Sequence, residues 1–406
     1  MRTALSIALF TAIAALSCSP NQARAQHLLQ LVETAPVETS LDNPDIPDAQ
    51  QVWLEMIASA TDRLDIAQFY IVSQPEGRLE PVLQAIGKAG KRGVEVRILA
   101  DAKFHETYPE ALDALAERKN VTVLIYDVGD AMGGVLHAKY FLVDGRELYL
   151  GSQNFDWRSL EHVQELGVRT DQPELVRSLS DIFEADWAIA SGTPRETALA
   201  APAQPYAFPA EIQLGEQTVQ ASLAASPTGW LPDEQLFDLP QLVALIDGAQ
   251  QQVRVQLLNY KTSDYQGRYF DDLDAALRRA AARKVHVELM VADWSKKRWT
   301  IESLQSLQCM PRIDVKLVTI PEHSSGFIPF ARVVHAKYLV VDGQRAWIGT
   351  SNWGRDYFHS SRNVGLVVDG PAFASQLDTF FEGLWDSEYA ELVEPGTTYE
   401  PPRTKE

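Results

Sequence analysis

The stretch VLHAKYFLVDGRELYLGSQN at residues 135–154 returns as VHAKYLVVDGQRAWIGTSN at residues 334–352. His137, Lys139, Asp144, Gly151 and Asn154 match His335, Lys337, Asp342, Gly349 and Asn352, every pair 198 residues apart. Each set sits in an apolar, strand-like frame. Polar and glycine positions repeated in register point to a duplicated functional unit. Two like halves of one chain can pair about a pseudo-two-fold axis, as identical subunits do in a dimer. That pairing would bring both copies of the pattern to a single site.

The flanking sequence supports two similar α/β halves. In the first, strands are predicted at residues 64–72, 94–100, 121–126, 137–143, 147–150 and 165–169. Helices are predicted between them at 47–61, 79–91, 109–117 and 173–190. The second half repeats the alternation, with strands at 253–258, 285–292, 315–320, 335–341 and 364–368. Its helices fall at 240–250, 270–284 and 371–385. Alternating strands and helices predict mixed sheets flanked by helices in each half. A Pro- and Ala-rich break separates the halves. The expected division is an export signal at 1–25, an N-terminal approach at 26–46 and a first domain at 47–190. A linker at 191–217, a second domain at 218–390 and a C-terminal tail at 391–406 follow.

The net charge of −19 argues against stable binding of duplex DNA, which depends on many Lys and Arg contacts to phosphate. It leaves room for a local basic pocket around one phosphodiester. Arg2, the apolar run 4–16 and Ala23-Arg24-Ala25 read as a signal sequence, too short to span a bilayer. The expected location is the periplasm or the exterior; lipoprotein attachment at Cys18 is a competing reading. After processing, Cys309 is the sole cysteine and is expected to be a buried thiol.

The two H-x-K-x(4)-D patterns, each with a downstream G-x-x-N, resemble those of the phospholipase D superfamily. The strings LGSQNFDWRSLEHVQELGV, GTSNWGRDYFHSSRNVGLVV and FIPFARVVHAKYLVVDG are similar to a branch of animal lysosomal phospholipase D-like 5′ exonucleases. Poxvirus envelope phospholipase-like proteins belong to that branch too. The resemblance spans roughly residues 47–389. The animal members carry several cysteines and a membrane anchor, so their disulfides and lysosomal setting do not carry over.

The resemblance implies a phosphodiesterase. Residues two apart in a strand share a face, so His137 projects with Lys139, and His335 with Lys337. Paired across a dyad, they would surround one phosphate. The lysines with Asn154 and Asn352 would stabilise the charge on its oxygens. One histidine would attack phosphorus to give a phosphohistidine; the other would serve as general acid and then as general base. No metal or other cofactor is expected, since Lys and Asn supply the charge stabilisation. Glu165 lies 28 residues after His137, while Asn363 occupies the equivalent place after His335. A carboxylate behind a ring nitrogen fixes its tautomer. Glu165 is therefore expected to orient His137 as nucleophile, leaving His335 as acid and base.

Other positions have plainer readings beside functional ones. Asp144 and Asp342 each precede Gly at a strand-end turn and read as structural. Gly151 and Gly349 are expected to permit close backbone approach. Ser152 and Thr350 could donate to the site or cap a turn. Phe327, Phe330 and Arg332 lie before the second motif and are candidate substrate contacts. Tyr70 and Tyr260 could line the pocket or fill the core. The run Lys296-Lys297-Arg298 reads first as a solvated face and second as a nucleic-acid track. The expected substrate is single-stranded nucleic acid, cleaved by a monomer with an internal pseudo-dimer. Glycerophospholipid cleavage or cardiolipin synthase-like transfer is the alternative, and a binding protein with a dead site is a third.

Overall fold

The computed structural model describes residues 27–264 and 266–405. The expected signal sequence and Cys18 lie outside them. Two mixed sheets form the framework. The first runs in the order Leu29–Thr34, Val163–Thr170, Glu147–Gly151, Tyr140–Val143, Arg63–Gln68, Glu95–Asp101, Val121–Tyr126. The second runs Ala210–Leu214, Gln217–Ser226, Asn363–Asp369, Arg345–Gly349, Tyr338–Val341, Gln252–Leu257, His286–Ala292, Ile313–Val318, Ala390–Leu392. Each sheet has three parallel strands on one side, joined through helices and edged in the second sheet by antiparallel Ala390–Leu392, and antiparallel strands carrying the motif on the other.

Local sequence explains the crossovers. The helix Glu80–Arg92 opens with Glu80 and Pro81 and closes with Lys91 and Arg92, charges that complement its dipole. Gly93 ends it in the left-handed region at φ 108, where its N–H caps the carbonyls of Ala89 and Gly90.

The core is layered. Helices Ala49–Ser59 and Glu80–Arg92 cover the outer face of the first sheet. Helices Asp238–Asp247, Asp272–Ala282 and Arg298–Gln308 cover that of the second. The closing helices Pro173–Ala190 and Pro371–Trp385 lie in a middle layer whose buried cluster includes residues from both sheets. Burial of this shared layer provides the main attraction between the halves.

Several expected boundaries move. Residues 26–46 contain the edge strand Leu29–Thr34, antiparallel to Val163–Thr170. The stretch read as a linker contains Ala210–Leu214, which pairs with Gln217–Ser226. The tail begins in the strand Ala390–Leu392, and Thr404 accepts a hydrogen bond from the Phe330 N–H. The motif strands start at Tyr140 and Tyr338; the His-x-Lys residues form their extended approach. Cys309 is exposed, because it follows the last turn of Arg298–Gln308 on its solvent side.

Candidate active site

The halves join backbone to backbone beside the motifs. Val334 pairs with Gln164, and Leu136 with Arg362. A shift of 198 residues turns one pair into the other, so an approximate two-fold axis passes between them. His335 and Ala336 both donate their N–H to the Gln164 carbonyl. The Arg362 N–H donates to Val135.

This exchange also places the groups behind the histidines. His137 Nδ1 lies 2.9 Å from Asn363 Oδ1, and His335 Nδ1 lies 3.1 Å from Glu165 Oε2. The second contact falls short of an aligned hydrogen bond and is an ion pair only when the ring is protonated. Each ring is therefore held by the opposite half. This corrects the expectation that Glu165 orients His137: Val163–Thr170 reaches across the axis, so Glu165 faces the other histidine. In both rings Nδ1 is occupied, which leaves Nε2 for chemistry.

The rest of the constellation is pinned around the pair. Lys139 Nζ donates to the His137 carbonyl and Lys337 Nζ to the His335 carbonyl, each at 2.6 Å. Both lysines are buried, and Lys139 stands 4.9 Å from the Phe69 ring centre. Asn154 and Asn352 line the same cleft, and each keeps one buried amide atom without a partner among the described residues. Asn352 Oδ1 accepts from the Asn259 N–H. Its Nδ2 is left to donate to an anionic oxygen.

Burial governs the electrostatics. It pushes His137 well below the usual histidine range, with Lys139 and Lys337 adding to the effect. Burial and Lys337 push His335 down to about 4, against the opposing pull of Glu165. Burial lowers Lys337 to about 7, and burial with Lys337 lowers Lys139 as well. Glu165 stays ionised: burial opposes its charge, but His335, Lys337 and Ser159 outweigh it. A phosphodiester anion among these cations would favour their charged forms.

The remaining predicted residues separate into site and support. Asp144 takes φ 53 and accepts the backbone N–H groups of Thr61, Asp62 and Arg63. Asp342 takes φ 55 and accepts those of Gln250, Gln251 and Gln252. Both are structural. A Cβ on Gly151 would come within 2.8 Å of Gly167 Cα, and one on Gly349 within 2.9 Å of the Val364 carbonyl. Ser152 bonds the Leu166 backbone, and Thr350 Oγ1 donates to Asn363 Oδ1. These bonds occupy both hydroxyls, so both residues read as supports; Thr350 steadies the residue behind His137. Arg332 is buried and donates to the carbonyls of Pro321 and Val37. Phe327 lies under the Arg403 guanidinium, away from the cleft. Of that loop, Phe330 reaches the cleft. Tyr260 is buried with its hydroxyl on Asp274, whereas Tyr70 lines the cleft.

Residues that, apart from Tyr70, were not singled out from sequence complete the walls of this cleft of ≈ 620 Å³. Phe69, Tyr70, Phe104 and Tyr108 form a chain of ring contacts, with Phe69 touching the His137 ring. Tyr357 packs edge-on against His137 from the second half. Arg158, clamped by Asp156, donates to the Pro329 carbonyl beside Phe330. Asp156, Arg158 and Tyr357 fall inside the FDWRSL and NWGRDYF strings. Phe69 and Phe104 had no comparable signal: Phe69 directly follows the strand Arg63–Gln68, and Phe104 lies in the one-turn helix Ala102–His105. Among the described residues, no group of three His, Cys, Asp or Glu side chains could hold a metal ion.

Two opposed histidines and two asparagines lining one cleft, backed by two buried lysines, on two like lobes, define a site for phosphoryl transfer. A family model described as cardiolipin synthase, PLD-like domain, matches residues 53–187 and again 242–385. The chain is 32% identical over 398 residues to the 5′-3′ exonuclease PLD3 of Xenopus laevis, covering 89% of this chain and 80% of that one. It is 31% identical over 403 residues to the 5′-3′ exonuclease PLD4 of Mus musculus, covering 89% and 79%. Phospholipase D Z of Dictyostelium discoideum is 30% identical over 393 residues, covering 91% of each. The fold matches that of phosphatidylserine synthase from Haemophilus influenzae Rd KW20, with a TM-score of 0.58 at 12% identity over 86% of each chain. The chain belongs to the phospholipase D superfamily, in the branch that holds the animal 5′-3′ exonucleases, and is a phosphodiesterase.

Proposed function

We propose that this phosphodiesterase is a 5′-3′ exonuclease on single-stranded nucleic acid, working through a phosphohistidine at His137. The aromatic wall from Phe69 to Tyr108, opening directly onto His137, carries this reading. Such rings stack any base without demanding a sequence. The exonuclease names of the relatives support it.

The roles follow from what stands behind each ring. Neutral Asn363 accepts from Nδ1–H of His137 and leaves a lone pair on Nε2, as a nucleophile needs. Glu165 favours the proton on His335, as a general acid needs. His137 Nε2 bonds to phosphorus while the P–O bond to the leaving group breaks and His335 protonates the leaving oxygen. His335 then takes a proton from water, whose oxygen attacks phosphorus and breaks the N–P bond. The lysines and asparagines hold the non-bridging oxygens throughout. Both halves of the site lie in one chain, so a monomer suffices. The signal-like residues 1–25 support export.

A wall that stacks bases would also take an acyl chain, and the relative named phospholipase D Z supports that second reading. The test offers the purified protein 5′-hydroxyl single-stranded DNA and, separately, phosphatidylglycerol or phosphatidylcholine vesicles, with His137→Ala as control. Stepwise nucleotide release, lost in the variant, is expected. Head-group release with DNA untouched would transfer the same chemistry to lipid. Robust turnover by His137→Ala would remove it as nucleophile.

A further inference from the structure

Among the described residues, three large aromatic side chains stand exposed: Tyr269 at 67%, Trp299 at 76% and Phe330 at 41%. All three lie on second-half segments that leave the cleft. Phe330 lines it directly. Trp299 follows the cleft residue Trp294, and Tyr269 follows the cleft residue Lys261. These last two segments touch, with Thr262 Oγ1 and Ser303 Oγ 2.8 Å apart. Ser303 lies one turn along the helix Arg298–Gln308 from Trp299 and donates to its carbonyl.

Cations interleave with these rings. Between Trp294 and Trp299 the chain reads Ser295-Lys296-Lys297-Arg298. Ser295 is buried and donates to the carbonyl of Leu258, another cleft residue, which fixes where the run emerges. Lys297 and Arg298 are exposed. Arg298 lies 5.5 Å from the Trp299 ring centre and reaches Glu302 at 3.3 Å. A solvated face would account for the cations and a single exposed ring is ordinary; the pairing of a 76% exposed indole with adjacent cations is what a stacking, phosphate-binding track would use. Rings with cations, on segments that run on from cleft-lining residues, fit a polyanion whose bases stack.

We propose that the strand leaving the cleft runs over this rim, stacking bases on Trp299 and Tyr269 and placing phosphates at Lys297 and Arg298. The proposal rests on the nucleic-acid reading above. It makes the rim a length sensor: a dinucleotide ends within the cleft, while a twenty-nucleotide strand crosses the rim.

The test compares the wild-type protein, Trp299→Ala and Lys297→Ala/Arg298→Ala on a dinucleotide and on a twenty-nucleotide single strand. Removing one stacking ring should raise KM on the long strand about tenfold with little change in kcat. The double variant should lower the salt dependence of kcat/KM on the long strand by about 0.7 in log–log slope for each phosphate that is no longer neutralised. Dinucleotide turnover should hold in both variants, which also reports an intact fold. Equal effects on both lengths, or none on the long strand, would overturn the rim path and leave the exonuclease reading standing. Wild-type protein that releases lipid head groups and cleaves neither DNA would overturn both.

Discussion

At the scale of single residues, the two motif histidines differ in what stands behind them. His137 has a neutral amide at 2.9 Å and His335 a carboxylate at 3.1 Å. If His335 is the general acid, Glu165→Gln weakens its hold on the proton. Turnover should then fall most where the leaving oxygen most needs protonation. With an alkoxide leaving group, kcat should fall roughly 10²–10⁴-fold. With p-nitrophenolate, which leaves unprotonated, it should fall little. Similar losses on both would instead give His335 the nucleophile's role. The converse change, Asn363→Asp, places an anion against His137 and raises its proton affinity. Because His137 must be neutral to attack, the acid limb of kcat/KM should move to higher pH. An unmoved limb would show that His137 does not set it. The difference between Glu165 and Asn363 was legible in sequence, because the two sit at equivalent spacings after histidines whose Lys, Asp, Gly and Asn positions do repeat. Their partners were not, because spacing along the chain does not reveal a segment that crosses the axis.

At the scale of elements, the motif works only if its approach segment is held at both ends. Before it, Leu136 bridges to Arg362 and Val334 to Gln164. After it, Asp144 ties the hairpin turn to residues 61–63, which lead into the neighbouring strand. Asp144→Ala leaves three N–H groups without their anionic acceptor and keeps a left-handed backbone that Ala disfavours. A loss of roughly 2–3 kcal/mol is expected, read as a lower denaturant midpoint at unchanged m. Activity per folded molecule should survive. A fully stable but inactive variant would place Asp144 in the chemistry instead. The structural reading of Asp-Gly came directly from turn preference. The edge strands Leu29–Thr34 and Ala210–Leu214 were not legible, because their short runs sit among prolines and polar residues without sustained alternation. Docking against Val163–Thr170 and Gln217–Ser226 makes them strands.

At the scale of the whole molecule, the question is whether two like lobes behave as one cooperative unit. The middle layer draws buried side chains from both sheets and both closing helices, so neither lobe has a complete core alone. A charged lock crosses the same boundary. Arg362 and Asp186 are both fully buried, with the two carboxylate oxygens accepting from Nη2 and Nε at 2.7 and 2.8 Å. Two further guanidinium N–H groups donate to the carbonyls of Ser226 and Trp230. Asp186 belongs to the first half's helix Pro173–Ala190, and Arg362 holds Leu136 just ahead of His137. Asp186→Asn leaves Arg362 buried without its counter-ion, which typically costs about 3–5 kcal/mol. Replacing both with apolar residues of similar volume should recover much of that loss, because the desolvation penalty goes with the pair. Calorimetry should show one transition in the wild type, moved as a whole in Asp186→Asn and largely restored in the apolar pair. Two transitions, with only one moved, would mean that the lobes fold independently. The shared site would then depend on docking alone, and turnover should fall before either lobe unfolds.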